Sequence, residues 1–207
     1  MDALSFVLLL VASFLSSIMG TMVGMAMVIM VPVMVFLGVP IHIAVATGRF
    51  SMLGINIGNI TRFSQNENMQ PKYFLVFAIA GATGSLLGAS FLIYVNEYIL
   101  KMIIGIFMII VSILGLFEDY IKPQKFRHKT TVKHHIISAV AGIFIGGYIG
   151  IIGGGGATII ILLLIVIYGL SFHDALANQK AASLPISVIA TIVFIYQGLI
   201  DYKLGIP

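Results

Sequence analysis

The chain has 207 residues, of which 60% are hydrophobic and only 9% charged, and its mean hydropathy is +1.13. Soluble globular domains do not reach that composition, so the sequence is that of a polytopic membrane protein with room for several spans of about 20 residues each. Cys and Trp are absent, which excludes a disulfide framework and a thiolate metal site. The net charge of +4 is concentrated, because five of the 11 basic residues (Lys122, Lys125, Arg127, Lys129 and Lys133) fall in one short loop. Such a cluster beside a span marks cytoplasmic placement, and its natural partner is the lipid bilayer rather than nucleic acid.

In chain order, the first half reads as five apolar pieces. Leu4–Ile18 and Met25–Leu37 are short and flank a break at Gly20 and Gly24, whereas Ile41–Arg62, Tyr73–Val95 and Tyr98–Phe117 are each long enough to span. The N-terminal piece has the length of a signal peptide but lacks a positive n-region, since only Asp2 precedes it; it reads as mature membrane structure. After the basic loop 118–133 the order repeats: Ile136–Ile149, a cluster Gly153-Gly-Gly-Gly156, Ala157–Tyr168 and Phe172–Gln197. Four consecutive glycines predict a helix break, since each costs about 0.8–1 kcal/mol relative to alanine. Lipid tolerates such a break only where protein or a water-filled cavity covers it.

The repeat extends past the glycines. Gly38-Val-Pro-Ile-His42 through Arg49 aligns with Gly169-Leu-Ser-Phe-His173 through Lys180, which places His42 on His173, Ala44 on Ala175, Ala46 on Ala177 and Arg49 on Lys180. The positive-inside rule puts the Arg62/Lys72 loop and the 118–133 loop on the cytoplasmic side and the Asn96 turn outside. Each half then crosses an odd number of times, so the N-terminus lies outside and the halves are inverted, a common transporter architecture. The expected class is therefore an all-α polytopic membrane protein of two inverted repeats with glycine-broken helices. Residues 1–117 form the first repeat, 118–133 the loop and 134–207 a second repeat that lacks counterparts of Tyr73–Val95 and Tyr98–Phe117, as in a truncated chain.

Arg49 and Lys180 are the only bases well inside apolar segments, and no Asp or Glu reaches comparable depth. A base at the bilayer centre costs about 2.5–3.5 kcal/mol on insertion scales, so the pair predicts a shared cavity that receives a small anion. The plain alternative is that each base snorkels or pairs with a helix C-terminus. Pro40 and the capping sequence Ser171-Phe-His-Asp174 place each base about nine residues into its helix, or roughly 13 Å. Asn56 and Asn59 share the Arg49 face, and Ser183, Ser187 and Thr191 share the Lys180 face. These polar stripes can line a wet path or act as packing glue. Gly24 and Gly153, Gly154, Gly155 and Gly156 are expected to expose helix N-termini to the anion. Gly81, Gly84 and Gly88 suit close helix packing instead. His42 and His173 read as first-turn end groups, and no His spacing predicts a metal site or cofactor. No nucleophile–base pair lies at membrane depth, which argues against an enzyme.

These residues together resemble the TauE/SafE-type exporters, the sulfite and organosulfonate permeases. The glycine signature is carried by Gly147-Tyr-Ile-Gly150-Ile-Ile-Gly-Gly-Gly-Gly156. The following small-residue motif ending in a base is carried by Ala46-Thr-Gly-Arg49 and Ala177-Asn-Gln-Lys180. Gly198-Leu-Ile-Asp201, Pro32 and Gly81-Ala-Thr-Gly-Ser-Leu-Leu-Gly88 match further elements. The first glycine motif departs at Met25 and Ala26, and leucine stands at 162 and 163 where the family often has proline. The resemblance implies export of sulfite or an organosulfonate across the cytoplasmic membrane, with no cofactor, as a monomer or a homo-oligomer. The rival expectation, suggested by the incomplete second repeat, is a transport-incompetent half-module or membrane scaffold.

Overall fold

A computed structural model describes residues 3–22, 24–64, 69–116 and 131–205. Of the basic loop only residues 131–133 are included; the rest of it lies outside the described residues. Among the described residues the secondary structure is entirely helical: α1 (Ala3–Met22), α2 (Ala26–Phe36), α3 (Ile41–Ser64), α4 (Pro71–Phe91) with a 3₁₀ turn at Leu92–Tyr94, α5 (Glu97–Leu116), α6 (Val132–Ile151), α7 (Gly156–Tyr168), α8 (Phe172–Tyr196) and α9 (Tyr202–Gly205). The protein is thus an all-α polytopic membrane protein. Four stretches among the described residues are both long and apolar enough to cross a bilayer: Leu4–Met22, Pro71–Tyr94, Val132–Ile151 and Phe172–Tyr196. Helix α3 has 24 residues and is long enough, but its polar stripe keeps it out of that group.

Both helices that lead into a break are longer than the sequence suggests. Helix α1 runs through Gly20 to Met22, and α6 runs from Val132 to Ile151. A backbone among apolar neighbours keeps its internal hydrogen bonds until the chain adopts a conformation the helix cannot accommodate. That point is Gly24 (φ 81°) after α1 and Gly153 (φ 79°) after α6, both in the left-handed region that glycine enters without strain. Gly20 therefore stays helical, and the break sits a few residues later than its first glycine. Pro40 lies one residue before α3, and its carbonyl accepts from Ala44 N–H at 2.9 Å. Ser171 caps α8 by accepting from Asp174 N–H at 3.2 Å.

The surface is turned inside out relative to a soluble protein. Phe36 is 87% exposed and Phe144 75% exposed, as lipid-facing side chains should be, while Thr47, Ser85 and Asn178 are fully buried. Lipid is as apolar as leucine, so helices gain little from hiding apolar area from one another, and close packing and hydrogen bonds must hold them. The α4–α6 contact shows how. A Cβ on Gly84 would strike the carbonyl of Ile143, one on Gly88 the carbonyl of Gly147, and one on Gly146 the carbonyl of Gly81. The two backbones touch, and Gly81, Gly84 and Gly88 act as the packing stripe the sequence predicts. Helix α4 also packs on α8, and α8 on α3, so the second half is clasped against the first.

This contact predicts a graded stability series. Gly84→Ala and Gly88→Ala should each destabilise the folded protein by about 1–3 kcal/mol through overpacking. Gly54→Ala and Gly58→Ala, where an added Cβ meets nothing within 4 Å, should leave the midpoint unchanged or slightly raised. Loss of the monodisperse size-exclusion peak with temperature in detergent measures both.

Candidate functional site

Each break is followed by a short helix, a glycine turn and a long helix whose ninth residue is basic: Arg49 on α3 and Lys180 on α8. Both bases are buried, Arg49 to 3% and Lys180 to 2% exposure. Each reaches across to the other half of the chain. Arg49 Nη2 donates to the Ile149 carbonyl at 2.5 Å, and Lys180 Nζ donates to the Gly20 carbonyl at 2.5 Å. Ile149 and Gly20 occupy the last turns of α6 and α1, at the negative ends of the helix dipoles; the Gly20 carbonyl also accepts from Gly24 N–H at 3.2 Å. The bases therefore cap the broken helices, the alternative raised on sequence grounds. The caps do not exhaust them. Arg49 Nε is buried with no partner among the described residues, and an ammonium carries three donors.

Those spare donors meet in one cavity. Arg49, Asn56, Lys180, Ser183 and Ser187 line it together, with Gly24, Gly153 and Ala157 in its walls. Of the residues singled out from sequence, Arg49, Lys180, Asn56, Ser183, Ser187, Gly24 and Gly153 are thus brought to one place. Gly154, Gly155 and Gly156 are not. They make the turn itself, with Gly155 at φ 68°, the Gly154 carbonyl accepting from Tyr148 OH at 2.8 Å, and Gly156 packed on Ile149. Gly153 is small of necessity, since a Cβ there would strike the Arg49 guanidinium. The cavity measures about 20 Å³ of space open to water centres, enough for one or two waters at about 10–15 Å³ each. A four-atom oxyanion does not fit this space as it stands.

The polar stripes are shared between lining and packing. Asn56 Nδ2 donates to Ser187 Oγ at 3.1 Å and ties α3 to α8 beside the bases. Asn59 Nδ2 and Thr191 Oγ1 are buried without partners among the described residues, but neither lines the cavity. Sequence reasoning missed Gln179, which is 1% exposed and lines the cavity next to Lys180. Its i,i+4 partner Ser183, to which Nε2 donates at 2.5 Å, was the available signal.

A second pair of bonds follows the register of the bases. Thr47 Oγ1 accepts from Asp201 N–H at 2.9 Å, just before α9. Asn178 Oδ1 accepts from Gln70 N–H at 2.9 Å, just before α4. Thr47 and Asn178 each sit two residues before their base, and Gln70 and Asp201 are separated by the same offset as Arg49 and Lys180. The same bond thus orients the chain entering α4 in one half and α9 in the other.

Broken helices whose ends are capped by buried bases, around a covered polar cavity, define a multi-pass membrane transporter rather than a receptor or an anchor. The model of the family described as sulfite exporter TauE/SafE matches residues 7–207, and the chain belongs to that family. It is also similar to the "Probable membrane transporter protein YdhB" of Bacillus subtilis (strain 168), 24% identical over 167 residues that cover 80% of this chain and 68% of that protein. No solved structure matches the chain.

The Asn56–Ser187 bond lends itself to a double-mutant cycle. Asn56→Ala and Ser187→Ala should be non-additive by about 0.6 kcal/mol, the average for such pairs in membrane proteins. Thermal unfolding of the two single variants and the double variant reads it directly.

Proposed function

We propose that this transporter is a permease of the cytoplasmic membrane that exports a small oxyanion, sulfite or an organosulfonate, through the cavity between Arg49 and Lys180. One observation carries the reading: two buried cations line a single cavity, and among the described residues no carboxylate lines it. Charge accounting supports it. Each helix C-terminus offers roughly half a negative charge, so the two caps leave roughly one unit of positive charge uncompensated beside the cavity. The start of α7, with Ala157 in the wall, adds the positive end of a dipole. Neutral donors on Asn56, Ser183 and Ser187 complete a lining suited to oxyanion oxygens. The outward direction and the sulfur chemistry rest on the family.

In this reading residues 1–117 and 134–207 are two inverted repeats, and the 118–133 loop faces the cytoplasm. The recurrence of the Thr47 and Asn178 bonds at one offset supports the duplication, and the basic loop supports the orientation. The cavity as it stands is then one state of an alternating-access cycle, in which the halves separate to admit the anion from one side and release it to the other.

In proteoliposomes loaded with sulfite, Arg49→Gln and Lys180→Gln should each lower flux about 10- to 100-fold, the worth of one hydrogen bond to a charged group. Glutamine keeps an amide donor for the helix-end carbonyl, so both variants should remain monodisperse. Undiminished flux in both would sink the site assignment, whereas loss of folded protein in both, with no loss of flux per folded molecule, would assign the bases to architecture alone.

A further inference from the structure

The side chains that line the cavity are rich in donors, and Gln179 adds a buried, unpaired acceptor among them. Gln179 is buried on α8 beside Lys180, and its amide nitrogen is committed to Ser183 Oγ. That bond turns the carbonyl oxygen away from Ser183. Gln179 Oε1 is buried and has no hydrogen-bond partner among the described residues. A buried acceptor left unpaired costs about 1–3 kcal/mol, which sites recover by pairing it with a ligand. Arg49, which lines the same cavity, has a buried donor in the same condition, its Nε. The lining therefore asks for a ligand with anionic oxygens on one side and a hydrogen-bond donor on another.

We infer that Gln179 is a specificity-determining residue that selects a monoanion bearing its own O–H or N–H donor over an otherwise identical anion without one. The inference rests on the anion-site reading above and narrows it. Sulfite in its singly protonated form fits the requirement, and so does a sulfonate substituted with a hydroxyl or amino group. Sulfate at neutral pH does not, because it carries two charges and no proton to give. Roughly one unit of uncompensated positive charge beside the cavity points the same way. The selection works by penalty: a ligand lacking the donor leaves Oε1 desolvated and unpaired, as in any site built to recognise a hydroxyl or an amine.

Sulfamate and methanesulfonate test this directly. They are near-isosteric monoanions that differ in an amino group against a methyl group, and neither titrates near neutral pH. Each is titrated against the purified full-length protein in detergent, and the rise in unfolding temperature gives its affinity. Sulfamate should bind about tenfold more tightly to the wild-type protein, the scale of one neutral hydrogen bond. In Gln179→Met, of similar length but without an acceptor, the ratio should fall to within twofold. Equal affinities in the wild-type protein, no binding of either anion, or an unchanged ratio in a folded Gln179→Met would each overturn the inference. The wild-type ratio stands whether or not the variant folds. Loss of flux in Arg49→Gln and Lys180→Gln together with equal affinities for the two anions would leave the anion site in place and remove only the role of Gln179.

Discussion

Two charges and two helix ends, each costly alone, hold this molecule together. A guanidinium or ammonium buried with no carboxylate beside it is costly to keep charged in an apolar interior. A helix that stops among apolar surroundings leaves terminal carbonyls that lipid cannot satisfy. Arg49 on the Ile149 carbonyl and Lys180 on the Gly20 carbonyl answer both difficulties at once. Because each bond runs from one half of the chain to the other, the same contact that partly offsets a base's charge also joins the halves.

The remaining architecture serves to bring those four groups together. Gly24 and Gly153 end the helices at the height where the bases arrive. The glycine contact between α4 and α6 lets two backbones touch, which draws the helix bearing Ile149 close to the core. The Asn56–Ser187 bond fixes α3 against α8, the two helices that carry the bases. Thr47 and Asn178, two residues before each base, pin the incoming chain on either side. None of these contacts draws on the hydrophobic effect, which is weak between helices in lipid. They rely on fit and on polar pairing.

Much of this was legible in the residues because membranes make exceptions visible. A lone base in an apolar run, or four glycines in a row, stands out against a background that tolerates neither, so Arg49, Lys180 and the second break could be placed from sequence. Helix lengths were less legible. Gly20 looks like a breaker, yet helix α1 carries it, because its backbone can still close its own bonds there and φ turns positive only at Gly24. Spacing along one helix also cannot say what lies across a gap. The carbonyl partners of the bases belong to the backbone and leave no trace in side-chain pattern. Gln179 escaped because it sits one position from Lys180, off the i+3, i+7 stripe followed from that base. The same limit placed Gly154, Gly155 and Gly156 at the cavity, when they shape the turn behind it.

The small size of the cavity follows from the same bonds and constrains how it can open. It is too tight for a four-atom oxyanion, so loading requires Arg49 or Lys180 to move away from a helix end, or the halves to part. Either motion strips a charged hydrogen bond worth about 1.5–3 kcal/mol and leaves a carbonyl without its donor. Under the proposed function, an anion entering between the bases supplies negative charge where the helix end withdraws it, so opening and binding offset one another's cost. Water can bridge the freed carbonyl, but it cannot neutralise the base. A neutral solute of the same size would lower neither penalty, and the cavity would close against it.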